Sequence, residues 1–162
     1  MMRNKSMVVS VFVSVAFLLG LASQSFAEAP KGPMDFVNAA KANITEVSAA
    51  QVKADLDAGK KFILLDVRSK EEFDAGHLPN AMHVSRGLLE FKIGNVIPNK
   101  NAAIILYCRT DARSALATHV LNQMGYVNAK NMAGAFKAWG MAGYPVYNRH
   151  GEFVMKAFEL QK

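Results

Sequence analysis

At 162 residues, with a formal net charge of +6 and a single cysteine, the chain excludes several classes at once. One cysteine permits no intramolecular disulfide, and the lysines are scattered rather than interleaved with aromatics, which excludes nucleic acid as the expected partner. His77, His83, His119 and His150 fall at no metal-ligand spacing with Cys108, so no metal site is expected.

Arg3 and Lys5 precede a nearly unbroken apolar run, Met7 to Leu21, and Ser25-Phe26-Ala27 places small residues where a signal peptidase reads. Residues 1–27 are therefore expected to be a secretory signal peptide cleaved after Ala27. The rival reading is an uncleaved anchor, but the run is shorter than the ~20 residues a span needs, so no stable membrane anchor is expected. The protein is then exported, and periplasmic if its source is a Gram-negative bacterium. Loss of Arg3 and Lys5 leaves a mature charge of +4. About 135 residues remain, one domain with enough chain for a core without disulfides. A modest positive charge suits a small anionic substrate.

Residues 28–43 read as an N-terminal extension: a flexible start, then a short amphipathic helix over Met34 to Ala42 with Met34, Phe36, Val37 and Ala40 on its apolar side. Ile44 to Val47 reads as a strand. Ser48 with Gln51 forms a capping-box pattern that opens a helix through Ala49, Val52 and Leu56, ending near Gly59. Phe62 to Val67 is a continuous apolar run closing on Asp66, as suits a strand buried on both faces. A short helix follows over Lys70 to Ala75, capped by Ser69 and ended by Gly76. His77 to Asn80 is a turn in which His77 is expected to bond backbone. Ala81 to Val84 is a strand, Leu88 to Ile93 a helix, and Pro98 to Asn101 a loop.

Ala102 to Tyr107 is the next strand. A helix over Ser114 to Met124 follows, with Ala115, Leu116, His119, Val120 and Met124 on its buried side. Val127 to Ala129 reads as the last strand and Gly134 to Trp139 as a short helix closed by Gly140. The tail, residues 147–162, has no clear period and is expected to pack back, against the N-terminal helix. Strands alternating with helices imply an α/β fold with a parallel sheet covered on both faces. Ligands of such sheets bind at the carboxyl ends of strands, where Asp66 and Cys108 both fall.

Cys108 therefore follows a strand and precedes a short loop and a helix N-terminus. Loop N–H groups can converge there and the helix dipole adds partial positive charge, an arrangement that suits a thiolate. The bland alternative is a small buried hydrophobe at a strand end. Arg109 and Arg113, and the exposure of a lone thiol to an oxidising compartment, favour reactivity instead.

Three motifs resemble the rhodanese family. Leu65-Asp66-Val67-Arg68, Glu72-Phe73 and Gly76 to Ala81 are similar to its first signature. Cys108-Arg109-Thr110-Asp111-Ala112-Arg113-Ser114 resembles its active-site loop. Gly134-Ala135-Phe136, Trp139 and Gly143-Tyr144-Pro145-Val146 resemble its C-terminal signature. The resemblance spans residues 44–146 and implies a rhodanese-like single domain with a central five-stranded parallel sheet and helices on both faces.

It also implies a sulfurtransferase. Cys108 would take a sulfane sulfur from a small anionic donor such as thiosulfate, or from a persulfide, and pass it to a thiol or cyanide acceptor that is free or protein-bound. The intermediate is a cysteine persulfide, and no cofactor is implied. Arg109, Thr110, Asp111, Ala112, Arg113 and Ser114 would bind substrate through loop N–H groups and side chains. Arg113 would aim its fork at the donor or lock the loop onto a carboxylate. Asp66, Arg68 and Glu72 are supporting residues. Arg68 and Glu72 are expected to pair with each other, and Asp66 to orient Arg113, orient the loop or cap a helix. Four residues separate Cys108 from Arg113; the related phosphatases, whose loop is one residue longer, are a less favoured reading. A persulfide carrier or sulfur-ligand module serving a partner protein is the other alternative. Asp111 departs from the glycine common in the family. It tolerates φ > 0 but brings a carboxylate near an anion site, which disfavours thiosulfate against a neutral or protein-bound donor.

Overall fold

A computed structural model describes residues 32–155 of the chain. The expected signal peptide over residues 1–27 and the end of the tail, residues 156–162, lie outside the described residues. The chain opens with helix α1 (Pro33–Lys41). It then alternates through β1 (Glu46–Ser48), α2 (Ala49–Asp57), β2 (Ile63–Asp66), α3 (Lys70–Ala75), β3 (Met82–His83), a 3-10 turn (Arg86–Leu88) and α4 (Leu89–Val96). β4 (Ile104–Tyr107), α5 (Ala112–Gln123), β5 (Ala129–Ala133) and α6 (Ala135–Met141) complete the alternation, and β6 (Val146–Asn148) with β7 (Gly151–Phe153) forms an antiparallel hairpin.

The first five strands make one parallel sheet in the order β1-β5-β4-β2-β3, with helices on both faces, the architecture expected. Strand alternation sorts the core into two layers. Leu65, Val67, Ile104, Leu106 and Cys108 face one side, packed with Leu89 and Ile93 of α4 and Ala117 and Leu121 of α5. Leu64, Ile105, Tyr107 and Met132 face the other, against Val52 of α2 and Ala135 and Trp139 of α6. Cys108 thus continues the alternation of β4 onto the α5 side. The sheet brings the carboxyl ends of β2, β4 and β5 side by side, and the loops that follow them meet there.

Several sequence expectations need correction. α1 buries Val37 and Ala40, but Met34 and Phe36 are exposed. α5 starts at Ala112, not Ser114. It buries Ser114, Ala115, Ala117, Thr118 and Leu121 rather than Leu116, His119, Val120 and Met124. The physical reason is that α5 packs both on the sheet and under α1, so small residues are needed for close approach and apolar residues appear all round it. β5 lies two residues later than read and reaches Ala133, with Val127 exposed in the turn before it. Gly140 is a buried residue inside α6, which runs on to Met141. Among the described residues, the tail packs back on the domain as a hairpin beside α3 rather than on α1. A bridge between His77 and Tyr147 fixes it, and the Phe153 ring lies over Gly76.

Candidate active site at the Cys108 loop

β4 delivers Cys108 to the floor of the site, where it is 1% exposed. Burial alone would fit the filler reading. What surrounds the sulfur does not. The Asp111 N–H donates to Sγ at 3.2 Å, and the Ser114 hydroxyl lies 3.5 Å from it. The same hydroxyl is 3.0 Å from the Asp111 carbonyl, so its one proton serves one acceptor or the other. The first-turn N–H groups of α5 have no acceptor within the helix, and the helix dipole places positive charge at the same end. An apolar filler needs no such donors; a thiolate or persulfide anion does.

The loop reaches this shape through Asp111, which sits at φ 99° and serves as the N-cap position of α5. That is the left-handed region, where aspartate is one of the few residues besides glycine that is found with any frequency. The loop is then pinned from the far side of the sheet. Phe136 N–H donates to the Cys108 carbonyl at 3.0 Å, and Lys137 N–H to the Arg109 carbonyl at 2.9 Å. Gly134 and Ala135, at φ 68° and 47°, turn the chain sharply enough to present those two amides.

The Asp111 carboxylate is itself occupied. Lys41 Nζ, at the end of α1, donates to it at 2.9 Å, and Gly134 N–H donates to the same oxygen at 3.2 Å. This carboxylate holds the Lys41 ammonium above its ordinary range.

The supporting residues pair differently from the expectation. Arg68 does not pair with Glu72. It donates from Nε and Nη2 to Asp66 at 2.6–3.0 Å and from Nη2 to the Gly76 carbonyl at 2.6 Å, all of it buried. The backbone N–H of Arg68 also donates to Asp66 at 2.9 Å. Residues two apart at an extended chain end share a side, which is why Arg68 turns back to Asp66 rather than forward to the helix. Its guanidinium stacks on the Phe136 ring, 4.0 Å from the centroid. Glu72 instead grips Arg113: Nη1 and Nη2 each donate to a different carboxylate oxygen at 2.8 Å. This fork holds the Glu72 carboxyl at about 2, well below its ordinary value. Arg113 therefore locks the loop to α3. His77 accepts its expected backbone role, with Nδ1 3.0 Å from the Phe73 carbonyl and its ring stacked on Phe73.

Arg109 and Thr110 are exposed at the rim, and Ala112 is the first residue of α5. A cavity of about 360 Å³ opens beside the loop, walled by Arg68, Arg109, Phe136, Phe153 and Met155. Sequence reasoning missed Lys41, the amides of Gly134, Phe136 and Lys137, and the wall formed by Phe153 and Met155. For Gly134 and Phe136 the motif itself was a signal; for Lys41 and Phe153 no local pattern pointed to the site.

The Rhodanese-like domain family matches residues 48–142. The chain is 27% identical over 108 residues to a protein named Sulfurtransferase from Allochromatium vinosum, covering 67% of this chain and 99% of that one. The solution structure of a polysulfide-sulfur transferase homodimer from Wolinella succinogenes superposes with a TM-score of 0.60 at 30% identity, covering 70% of this chain and 85% of that one. A Rhodopseudomonas palustris protein described as a possible tyrosine phosphatase superposes with a TM-score of 0.67 at 26% identity, covering 72% and 94%.

Proposed function

The chain belongs to the Rhodanese-like domain family, and from that premise we propose that it is a sulfurtransferase that works through a persulfide on Cys108. The observation that carries the proposal is Sγ at the N-terminus of α5, receiving the Asp111 N–H at 3.2 Å. Donors already in place stabilise a sulfur anion without reorganisation, which is often the largest contribution to catalysis.

In the first half-reaction the Cys108 thiolate attacks the sulfane sulfur of thiosulfate. A new S–S bond forms on Cys108, the old S–S bond breaks, and sulfite leaves with its electron pair. In the second, cyanide or a thiolate attacks the outer sulfur; the thiolate of Cys108 leaves, and thiocyanate or an organic persulfide departs. The Asp111 N–H and the first-turn amides of α5 hold the negative sulfur in each step. Arg113 keeps the loop closed on α3, and Asp66 with Arg68 fixes the chain after β2. Arg109 stands exposed at the rim, where an anionic donor enters. We propose too that residues 1–27 direct export, to the periplasm if the source is a Gram-negative bacterium.

Both terminal nitrogens of Arg113 are committed to Glu72. A phosphatase needs that fork for the phosphate, so the pairing supports sulfur over phosphate transfer. Steady-state assay separates the readings. A sulfurtransferase forms many equivalents of thiocyanate from thiosulfate and cyanide, and Cys108→Ser lowers turnover by about a thousandfold or more. A single equivalent released per chain would replace the enzyme by a carrier, and hydrolysis of an aryl phosphate with no sulfur transfer would overturn the proposal.

A further inference from the structure

We propose that Lys41 is a positioning residue for the site: its ammonium neutralises the Asp111 carboxylate and so preserves the affinity of the Cys108 loop for anionic sulfur donors. The inference rests on Cys108 being the nucleophile. It starts from a conflict in the loop. The residue whose N–H supports Sγ, at 3.2 Å, also carries a carboxylate. That charge lies within roughly one Debye length, ~8 Å, of the sulfur and opposes any anion that approaches it.

Two donors answer the conflict. Lys41 Nζ reaches Asp111 Oδ2 at 2.9 Å, and Gly134 N–H reaches the same oxygen at 3.2 Å. Only Lys41 brings a full opposite charge. The pair is part-buried, with side-chain exposures of 30% and 19%, so solvent screens it less than a pair on the open surface. Lys41 is placed by helix packing, since α1 lies on α5 with Val37 and Ala40 buried between them. Glu46, 3.7 Å from Lys41, is the other acid facing the ammonium. α1 lies before the residues matched by the family, 48–142. An element in front of the matched domain therefore sets the charge of its loop. It allows aspartate to stand where the family commonly has glycine: the carboxylate ties α1 to the loop and Lys41 cancels its charge.

The test compares the rates at which the folded chain is alkylated at Cys108 by iodoacetate, an anion, and by iodoacetamide, its neutral analogue. Their ratio reads the local potential, and it does not depend on sulfur transfer. Lys41→Met lowers the iodoacetate-to-iodoacetamide ratio by about three- to tenfold, as expected for one partly screened charge at this range. Asp111→Asn raises it, the double variant returns close to the native ratio, and Lys41→Arg keeps it. The KM for thiosulfate moves inversely to the ratio, rising in Lys41→Met and falling in Asp111→Asn, while kcat changes less. An unchanged ratio in Lys41→Met, or an equal fall of both rates, marks a merely structural contact and overturns the inference. If Cys108 of the native chain resists both reagents, the proposed function itself fails, and this inference with it.

Discussion

Glu72 is held by two contacts that point in different directions. Within α3 it completes a capping box with Ser69, and across the site it takes the fork of Arg113. Its carboxyl has a folded value of about 2 against an ordinary 4.5, chiefly because of the Arg113 hydrogen bonds. A depressed value means the folded state favours the charged form. The pair therefore contributes its full stability above about pH 4.5 and loses it as pH falls toward 2. Arg113 is 42% exposed, so screening leaves about 1 kcal/mol of that contribution at neutral pH. Urea unfolding of native and Glu72→Gln chains at pH 7 and pH 2.5 should show a stability gap of about this size that narrows on acidification. A gap independent of pH would contradict the assignment. The exchange of partners between Arg68 and Glu72 was not legible in the sequence. Their spacing suggests a helical ion pair, but Arg68 precedes the helix and its partner Asp66 lies behind it on the chain.

At the scale of elements, the turn from β5 into α6 sets the two amides that pin the loop. Gly134 occupies φ +68°, and a Cβ built there would lie 2.7 Å from the Cβ of Ala138. Gly134→Ala adds left-handed strain to that collision, and should cost roughly 2–3 kcal/mol in urea unfolding. A cost below about 0.5 kcal/mol, the range of neutral surface changes, would show that the turn is not constrained. Elements with local punctuation were readable: α3 has Ser69 before it, Glu72 at its third position and Gly76 after it, and it runs from Lys70 to Ala75 as expected. β5 was not, because this interior strand carries Lys130 and a buried Asn131. The Asn131 amide donates to Glu46 Oε1 at 2.6 Å across to the neighbouring strand. The polar pair does the work of an apolar one and breaks the pattern that marks a strand.

At the scale of the molecule, β2 and β4 carry the fold in their alternation. Each places successive residues on opposite layers, and both end at the site with Asp66 and Cys108. That much follows from apolar runs and the carboxyl-end rule. What the sequence hides is most of what arrives from a distance: α1 with Lys41 on Asp111, the β6–β7 hairpin with Phe153 over Gly76, and Glu72 as the carboxylate onto which Arg113 was expected to lock the loop. These contacts depend on three-dimensional packing and leave no period or motif behind. They converge on one loop, whose purpose in this account is to stabilise a negatively charged sulfur on Cys108. The most direct test is the mass of the intact protein after incubation with thiosulfate. The account predicts a gain of one sulfur, about 32 Da, that cyanide removes and that Cys108→Ser never shows. No gain with thiosulfate or any other sulfane donor would contradict it.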